Sequence, residues 1–360
     1  MRNKYRYQNI AAEKVLNDAM SGSFKAAVLA ACPGAGKTTI SHKIINEYLK
    51  INPNARILVL TEGQTTLMNQ YLDELKNPNI DINFTYGMVG FDVQVSVGIP
   101  QNINKLQHNI DLIIIDEAHN WYLAPTVQKI IENLNPKHQV LMTGTPSAFT
   151  KWNDSVSFDF MMFDEKKYEI TYISAEDLIA NGIFSAVDLD VAKINNKKNA
   201  TNTINKVLVH AMVNNYNLDK IMIACPNIAY AKKVDAFMKL QGRKVSLSTS
   251  KNDLNSKEIK EFKAGKTDVL IVVGRGILGF NDKEITALFD LRSSTNLNAS
   301  YQLFARVLRT HPENIKKSYI RIGEEKDFTN QVETIHMLKA LMSSEIFKGF
   351  TGKNLAVNAW

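Results

Sequence analysis

The run "AAVLAACPGAGKTTISHKIINEYLK" (26–50) constrains this chain more than any other. Small and apolar residues pass directly into a glycine-rich turn, and the turn opens a segment whose apolar residues recur at helical spacing. A turn of this kind lets backbone N–H groups approach phosphate oxygens, and the helix N-terminus adds a favourable dipole. Lys37 is placed to reach the β- and γ-phosphates, and the Thr38 hydroxyl to ligate Mg²⁺. Pro33, Gly34, Ala35, Gly36 and Thr39 complete the cradle. The strict pattern puts a further glycine where Ala31 stands; the remainder, A-x-x-G-x-G-K-T, is intact. The run predicts a phosphate site at the C-terminal end of a strand.

Three more apolar runs, "ARILVL" (55–60), "IDLIIID" (110–116) and "HQVLMTG" (138–144), read as buried strands, with a helical pattern in "TTLMNQYLDELK" (65–76). Continuous apolar strands are expected of a parallel sheet covered on both faces. In "DLIIIDEAHN" (111–120) such a strand delivers Asp116 and Glu117 to its carboxyl end, where open α/β sheets bind ligands. Asp116 is the candidate Mg²⁺ ligand and Glu117 the residue that orients and polarises an attacking water. Acidic residues at a strand end also cap helices, but a P-loop upstream favours the catalytic reading.

A second β-α series follows near residue 200, with strands in "KIMIACP", "KVSLSTS", "TDVLIVVG" and "EITALFDL" and helices in "AYAKKVDAFMKL" and "SKEIKEFKAG". Two such series imply two doubly wound α/β domains. The expected division is a first domain over 1–170, a polar Asn/Lys-rich linker over 171–197, a second domain over 198–345, and an unassigned tail over 346–360. A length of 360 residues exceeds one ordinary core and agrees with this division. The net charge of +7 suits a polyanionic partner. Cys32 and Cys225 have no metal-ligand neighbours, so a disulfide scaffold or zinc site is not expected, and a reducing compartment fits. No apolar run approaches the roughly 18 residues of a membrane span, and the basic start "MRNKYRYQNIAAEKVL" lacks the apolar stretch of a signal peptide. A soluble cytoplasmic protein without membrane contact is expected.

One further run is "SYQLFARVLRTHP" (300–312). Read as a helix, it places Leu303, Phe304, Val307 and Leu308 on one apolar stripe. Gln302, Arg306 and Arg309 then share the opposite face. A solvated charged face accounts for that much; an ATP site that needs charge from a second domain gives the arginines a further use.

These motifs occur in the order found in superfamily 2 helicases and translocases, which the chain resembles over nearly its whole length. Lys37 and Thr38 match motif I, and Asp116 to His119 match motif II as D-E-A-H. "TGTPS" (143–147) is similar to motif III, "VVGRGILGFND" (272–282) to motif V and "QLFARVLR" (302–309) to motif VI. "ALFDLRSSTNLNASYQLFARVLR" and "SAEDLIANGIFSAVDL" look most like the type III restriction-subunit and phage branch-migration group, and the Asn/Lys-rich composition fits a phage source.

The resemblance implies two tandem RecA-like domains with ATP and Mg²⁺ in the cleft between them. Arg309 would reach the γ-phosphate beside Arg306, with Gln302 linking that face to nucleic acid or to motif III. Gln8 would read the adenine edge, if it is not simply a surface glutamine. Gly279 and Asn281 would contact nucleotide, and His119, Thr143 and Thr145 would couple the sites. Thr61 and Gln64 would meet nucleic acid where they do not merely cap the next helix, as would Pro100, Gln101, Thr249, Gly274 and Arg275. Two departures stand out: Ala305 replaces the motif VI glycine, and Asn281 stands where many relatives carry Asp. The implied activity is ATP-dependent movement along or unwinding of DNA, single-stranded or branched, in preference to RNA, by a monomer whose specificity would come from protein partners or from the segment after 345. An ATP-gated nucleic-acid clamp and a P-loop switch acting on protein partners are the alternatives.

Overall fold

A computed structural model of the chain describes residues 5–61, 65–76, 82–105, 109–144, 163, 167–253, 256–274, 282–294, 296–313 and 315–343. Among these, contacts separate one unit that runs to Asp177 from a second that runs from Leu178 to Ser343.

In the first unit, α1 (Arg6–Met20) leads into β1 (Ala26–Ala31), α2 (Lys37–Ile51), β2 (Ile57–Leu60) and α3 (Thr65–Leu75). Then come β3 (Tyr86–Met88), β4 (Val95–Gly98), a 3-10 turn over Pro100–Lys105, β5 (Leu112–Ile115), α4 (Ala118–Trp121), α5 (Pro125–Leu134), β6 (His138–Thr143) and β7 (Tyr168–Ile173). The strands form one parallel sheet in the order β3-β4-β2-β5-β6-β1-β7. Every residue of β1, β2 and β5 is buried, as expected of central strands covered on both faces. Four of the six residues of β1 are alanine, and α1 packs closely against this strand and its neighbours. The order β5-β6-β1 sets the C-terminal ends of three strands side by side, and the candidate site is built there.

The second unit contains β8 (Val187–Ile194), α7 (Ala200–Val213), β9 (Ile221–Ala224), α8 (Ile228–Leu240), β10 (Val245–Ser248) and α9 (Lys257–Lys263). It continues with β11 (Val269–Val272), β12 (Ala287–Asp290), α10 (Leu297–Phe304), β13 (Lys317–Glu324) and α11 (Phe328–Met342). Its sheet is also parallel, in the order β10-β11-β9-β12-β13-β8. Asparagine starts three of the helices: Asn199, Asn227 and Asn296 accept from the backbone N–H groups of Asn202, Tyr230 and Ala299. Among the described residues no helix is long and apolar enough to cross a membrane.

Two sequence expectations need correction. The span 171–197, expected as a linker, carries the end of β7, a short helix α6 (Ala175–Ala180) and the whole of β8. "VDLDVAKI" alternates apolar and polar residues, which suits the sheet edge where β8 pairs with β13 from Val187↔Lys317 to Ile194↔Glu324. The second correction concerns 300–312. The helix stops at Phe304, residues 305–307 turn, and Arg309 forms an antiparallel bridge with Phe184. Leu303, Phe304, Val307 and Leu308 are all fully buried, as the apolar stripe requires, but Gln302, Arg306 and Arg309 do not share a helix face. Tertiary pairing replaces the helical bonds that 305–312 would otherwise make.

At the register pair Asp290↔Arg321 the second unit holds a buried ionic network. Asp290 accepts from Arg292 Nε (2.7 Å) and Nη2 (3.0 Å) and from the Tyr319 hydroxyl (2.9 Å). Arg321, 3.4 Å from the same carboxylate, donates to Ser300 Oγ (2.8 Å) on α10, to Gln331 Oε1 (2.8 Å) on α11 and to the Ser294 carbonyl. Burial alone would raise Asp290, but Arg292, Arg321 and the Tyr319 hydroxyl outweigh it and hold the carboxyl at about 2. Removing one partner of such a pair strands the other charge. Arg321→Met is expected to cost about 3–5 kcal/mol in urea unfolding; a loss comparable to an exposed arginine would show the network to be idle.

In the first unit His42 of α2 is buried, meets the Tyr71 ring of α3 edge-on at 5.1 Å, and among the described residues has no hydrogen-bond partner on either ring nitrogen. Burial pushes its pKa down to about 4. The unfolded histidine takes up its proton near 6.5, so the neutral ring stabilises the fold fully above that pH and the benefit is lost as pH falls toward 4. The loss amounts to about 3 kcal/mol. His42→Leu should therefore flatten the stability difference between pH 7 and pH 4, measured by chemical denaturation against the unaltered protein.

Candidate functional site

The P-loop is built by its neighbours as much as by its glycines. The Tyr7 hydroxyl donates to the Ala35 carbonyl at 2.6 Å, and Gln8 Nε2 lies 3.4 Å from the same oxygen and from the Tyr7 hydroxyl. Gly36 has φ +89°, and a Cβ there would stand 2.5 Å from Gln8 Nε2. The left-handed conformation therefore demands glycine immediately before α2 begins at Lys37, and any side chain there would also displace the Gln8 amide. Gln8 is 8% exposed, so the reading of it as a free surface residue is set aside.

Lys37 Nζ reaches Glu117 Oε1 at 3.4 Å. The strand extends beyond β5 through the Asp116 N–H, which donates to the Leu60 carbonyl at 2.8 Å. Glu117 then adopts φ +46°, a left-handed conformation that is costly for a side-chain-bearing residue and gathers at functional sites. The Trp121 indole N–H donates to the Asp116 carbonyl at 3.1 Å and braces the turn from α4. Behind Glu117, His119 Nδ1 lies 3.4 Å from Glu117 Oε2 and 2.9 Å from Thr143 Oγ1, at the end of β6. One chain of contacts thus runs from Lys37 through Glu117 and His119 to Thr143.

The charges divide unevenly. Burial would lower Lys37, but Glu117 and Asp116 outweigh it and hold the ammonium above its ordinary value. Burial would raise Glu117, but Lys37, His119 and the Gly144 N–H bring it below the ordinary carboxylate range. Asp116 is left with burial and the neighbouring Glu117 charge, which push it up to about 7. A carboxyl so opposed favours a cation at its oxygens. With the Thr38 hydroxyl it offers hard oxygen donors suited to Mg²⁺, which keeps waters and substrate phosphates in its shell. Among the described residues no trio of His, Cys, Asp or Glu forms a metal cage of its own. His119 is pushed down chiefly by burial, which favours a neutral ring in contact with Thr143 over a charged one.

Three contributors escaped the sequence reading. Tyr7 holds the P-loop directly, and its only signal is adjacency to Gln8. Ser41 Oγ donates to the Thr38 carbonyl at 2.7 Å, so the Tyr71 hydroxyl, also 2.7 Å away, must donate to it. Gly144 is the third: a Cβ there would stand 3.1 Å from Pro33 Cγ and 3.3 Å from Lys37 Nζ.

Among the expected nucleic-acid contacts, Thr61 is buried with its N–H and hydroxyl both on the Gly98 carbonyl. Thr249 is buried with its hydroxyl donating to Asn252 Oδ1 at 2.6 Å. Gln101, in the 3-10 turn after Pro100, and Gly274 are exposed. Gln64, Thr145, Arg275, Gly279 and Asn281 lie outside the described residues. In the second unit Gln302, Arg306 and Arg309 are each half-buried. Arg309 lies within electrostatic reach of Lys263 and Lys317; burial lowers both ammonium groups, Arg309 adds to the effect, and Asp282 opposes it. Lys317 is pushed down to about 7.

Residues 3–148 match the family described as "Type III restriction enzyme, res subunit". A 134-residue stretch is 28% identical to the SNF2 domain-containing protein CLASSY 2 of Arabidopsis thaliana, covering 34% of this chain and 10% of that protein. The chain therefore spans about a tenth of the length of that curated relative. Among solved structures, the ATP-dependent Type ISP restriction-modification enzyme LlaBIII bound to DNA superposes with a TM-score of 0.71 at 15% identity, over 95% of this chain and 30% of that one. Dbp5 of S. cerevisiae bound to RNA and ADP BeF3 gives 0.60 at 13% identity, over 92% of this chain and 87% of that one. Each shares with this chain a fold of two RecA-like parallel-sheet α/β units.

The crowding at Gly144 makes a measurable demand. Gly144→Ala asks Pro33 or Lys37 to give by a few tenths of an ångström, and displacing Lys37 is expected to weaken nucleotide binding by about 1 kcal/mol, roughly fivefold. Titration with a fluorescent ATP analogue should show that loss; unchanged affinity would mean the cradle has slack there.

Proposed function

We propose that this chain is a nucleic-acid-stimulated ATPase that converts ATP hydrolysis into movement along or unwinding of nucleic acid, with DNA preferred over RNA. The observation that carries the proposal is the Lys37–Glu117–His119–Thr143 chain at the ends of β1, β5 and β6. Pro33 to Thr39 would cradle the phosphates, with Lys37 on the β- and γ-oxygens. Thr38 and Asp116 would hold Mg²⁺, which neutralises phosphate charge. Glu117 would orient the attacking water. Lys37 holds the glutamate ionised, so an arriving phosphate competes for the lysine and leaves the carboxylate ready to accept the proton. His119 and Thr143 would sense that exchange from behind. Gln8, with Gly279 and Asn281 outside the described residues, would contact the nucleotide.

Arg309, with Arg306 beside it and Gln302 upstream, would supply positive charge to the γ-phosphate when the two units close on ATP. Hydrolysis would release that closure and advance the protein, a shift in population driven by differential contacts. Exposed groups such as Gln101 and Gly274, with the half-buried Pro100, would meet the sugar-phosphate backbone without reading sequence. The family match over the first unit and the fold shared with a DNA-bound and an RNA-bound enzyme support a nucleic-acid partner. The net charge of +7 is compatible with one.

The test is ATP turnover against single-stranded, duplex and forked DNA and RNA over a salt series. Stimulation should fall steeply with salt, because backbone binding releases counterions. Lys37→Ala and Glu117→Gln should abolish stimulated turnover. Arg309→Ala should lower it by roughly 10³- to 10⁵-fold while sparing nucleotide binding. Normal stimulated turnover in the Arg309 variant would sink the account of the second unit. Absence of stimulation by every nucleic acid would favour a switch acting on protein partners, and stimulation without strand displacement on a tailed duplex would favour a clamp or pure translocase.

A further inference from the structure

Because α10 ends at Phe304, no helix holds Arg309; its position depends on whatever the segment 308–311 is bonded to. That partner is the segment 183–185, which opens the second unit just after the chain leaves the first at Asp177. Four observations tie the two segments. Arg309 and Phe184 form an antiparallel bridge. The Ser185 N–H donates to the Leu308 carbonyl at 2.9 Å, and the His311 N–H donates to Ser185 Oγ at 3.1 Å. The Thr310 hydroxyl donates to the Ile183 carbonyl. Phe184 and Ser185 are 4% and 2% exposed and Leu308 is fully buried, so the Ser185–Leu308 bond is shielded from water, while the bonds of Thr310 and His311 are part-buried. Both residues flanking Arg309 are thereby fixed, on either side of the arginine.

We infer that Ile183–Ser185 is a clasp that positions Arg309 for phosphate, with Ser185 and Thr310 as positioning residues, so that a segment near the start of the second unit aims the arginine. This rests on the reading of Arg309 given above. An arginine that stabilises a transition state must be held to within a fraction of an ångström, and misplacement by about 1 Å costs on the order of a hundredfold in rate. Loosening the clasp should therefore act on turnover and leave ground-state binding alone.

Ser185→Ala and Thr310→Val, singly and together in the full chain, test this, with each change also placed in an Arg309→Ala background. The measurements are kcat and KM for ATP at saturating single-stranded DNA, and the affinities for ADP and for ADP with aluminium fluoride. The expected result for the double variant is a kcat about tenfold lower with KM and ADP affinity unchanged. Binding of the aluminium fluoride complex should weaken by a similar factor, and the Arg309→Ala background should show no additional loss. The same fold loss in that background, or a raised KM with kcat intact, would overturn the clasp and leave Arg309 in place. Wild-type turnover in Arg309→Ala alone would instead remove the arginine reading on which the clasp depends.

Discussion

A buried ammonium has to be paired, and in this protein the pairing of Lys37 with Glu117 organises everything around it. Lys37 comes from the helix after β1 and Glu117 from the turn after β5, with β6 lying between the two strands. The pair can form only if the three strands run parallel and end together. That requirement needs central strands buried on both faces, hence the unbroken apolar runs, and needs alanines in β1 where α1 packs close. It also needs Glu117 to turn back toward the lysine, which it does through a left-handed backbone that costs about 1–3 kcal/mol. Asp116 and Trp121 brace that turn. The strain sits at the candidate site, and the sheet supports it.

The two units treat a buried carboxylate in opposite ways. Asp290 has two guanidinium groups and a phenol on it, and its proton is lost to about 2. Asp116 has the charge of Glu117 for a neighbour and a share of one lysine, and is pushed to about 7. The first is a closed network, fully satisfied, that ties β12, β13, α10 and α11 into one block. The second is short of positive charge and, on the proposed reading, would be balanced by a cation and phosphates. Closed networks specify a fold; open ones bind.

Much of this was legible in the residues. Wherever strands are continuous apolar runs, as in β1, β2, β5 and β9, pattern alone located them, and P-loop chemistry located Lys37 and Thr38. The pattern is quiet where burial is achieved by polar residues. β13, "KSYIRIGE", reads as a surface strand, yet all eight of its residues are buried, since Lys317, Arg321 and Glu324 each find a partner far along the chain. β8 lies at the sheet edge and alternates, so it passes for a linker. The 300–312 run carries apolar residues at helical spacing, and they are indeed buried, but spacing does not say where a helix stops.

That last failure has a physical content. On a helix, the direction of an arginine is set locally, by propensity and by four residues of its own sequence. On a bridged strand it is set by bonds to a segment 126 residues away, and nothing in the run itself encodes them. The cost is that local pattern no longer predicts the geometry. The consequence for function is larger: a side chain fixed by a distant segment responds to whatever moves that segment, whereas one fixed by its own helix does not. Lys37 is of the second kind, rigid on α2, and Arg309 is of the first. If the chain turns over ATP as proposed, fixing Lys37 on its own helix and leaving Arg309 adjustable would separate the group that holds phosphate from the group that follows a change of state.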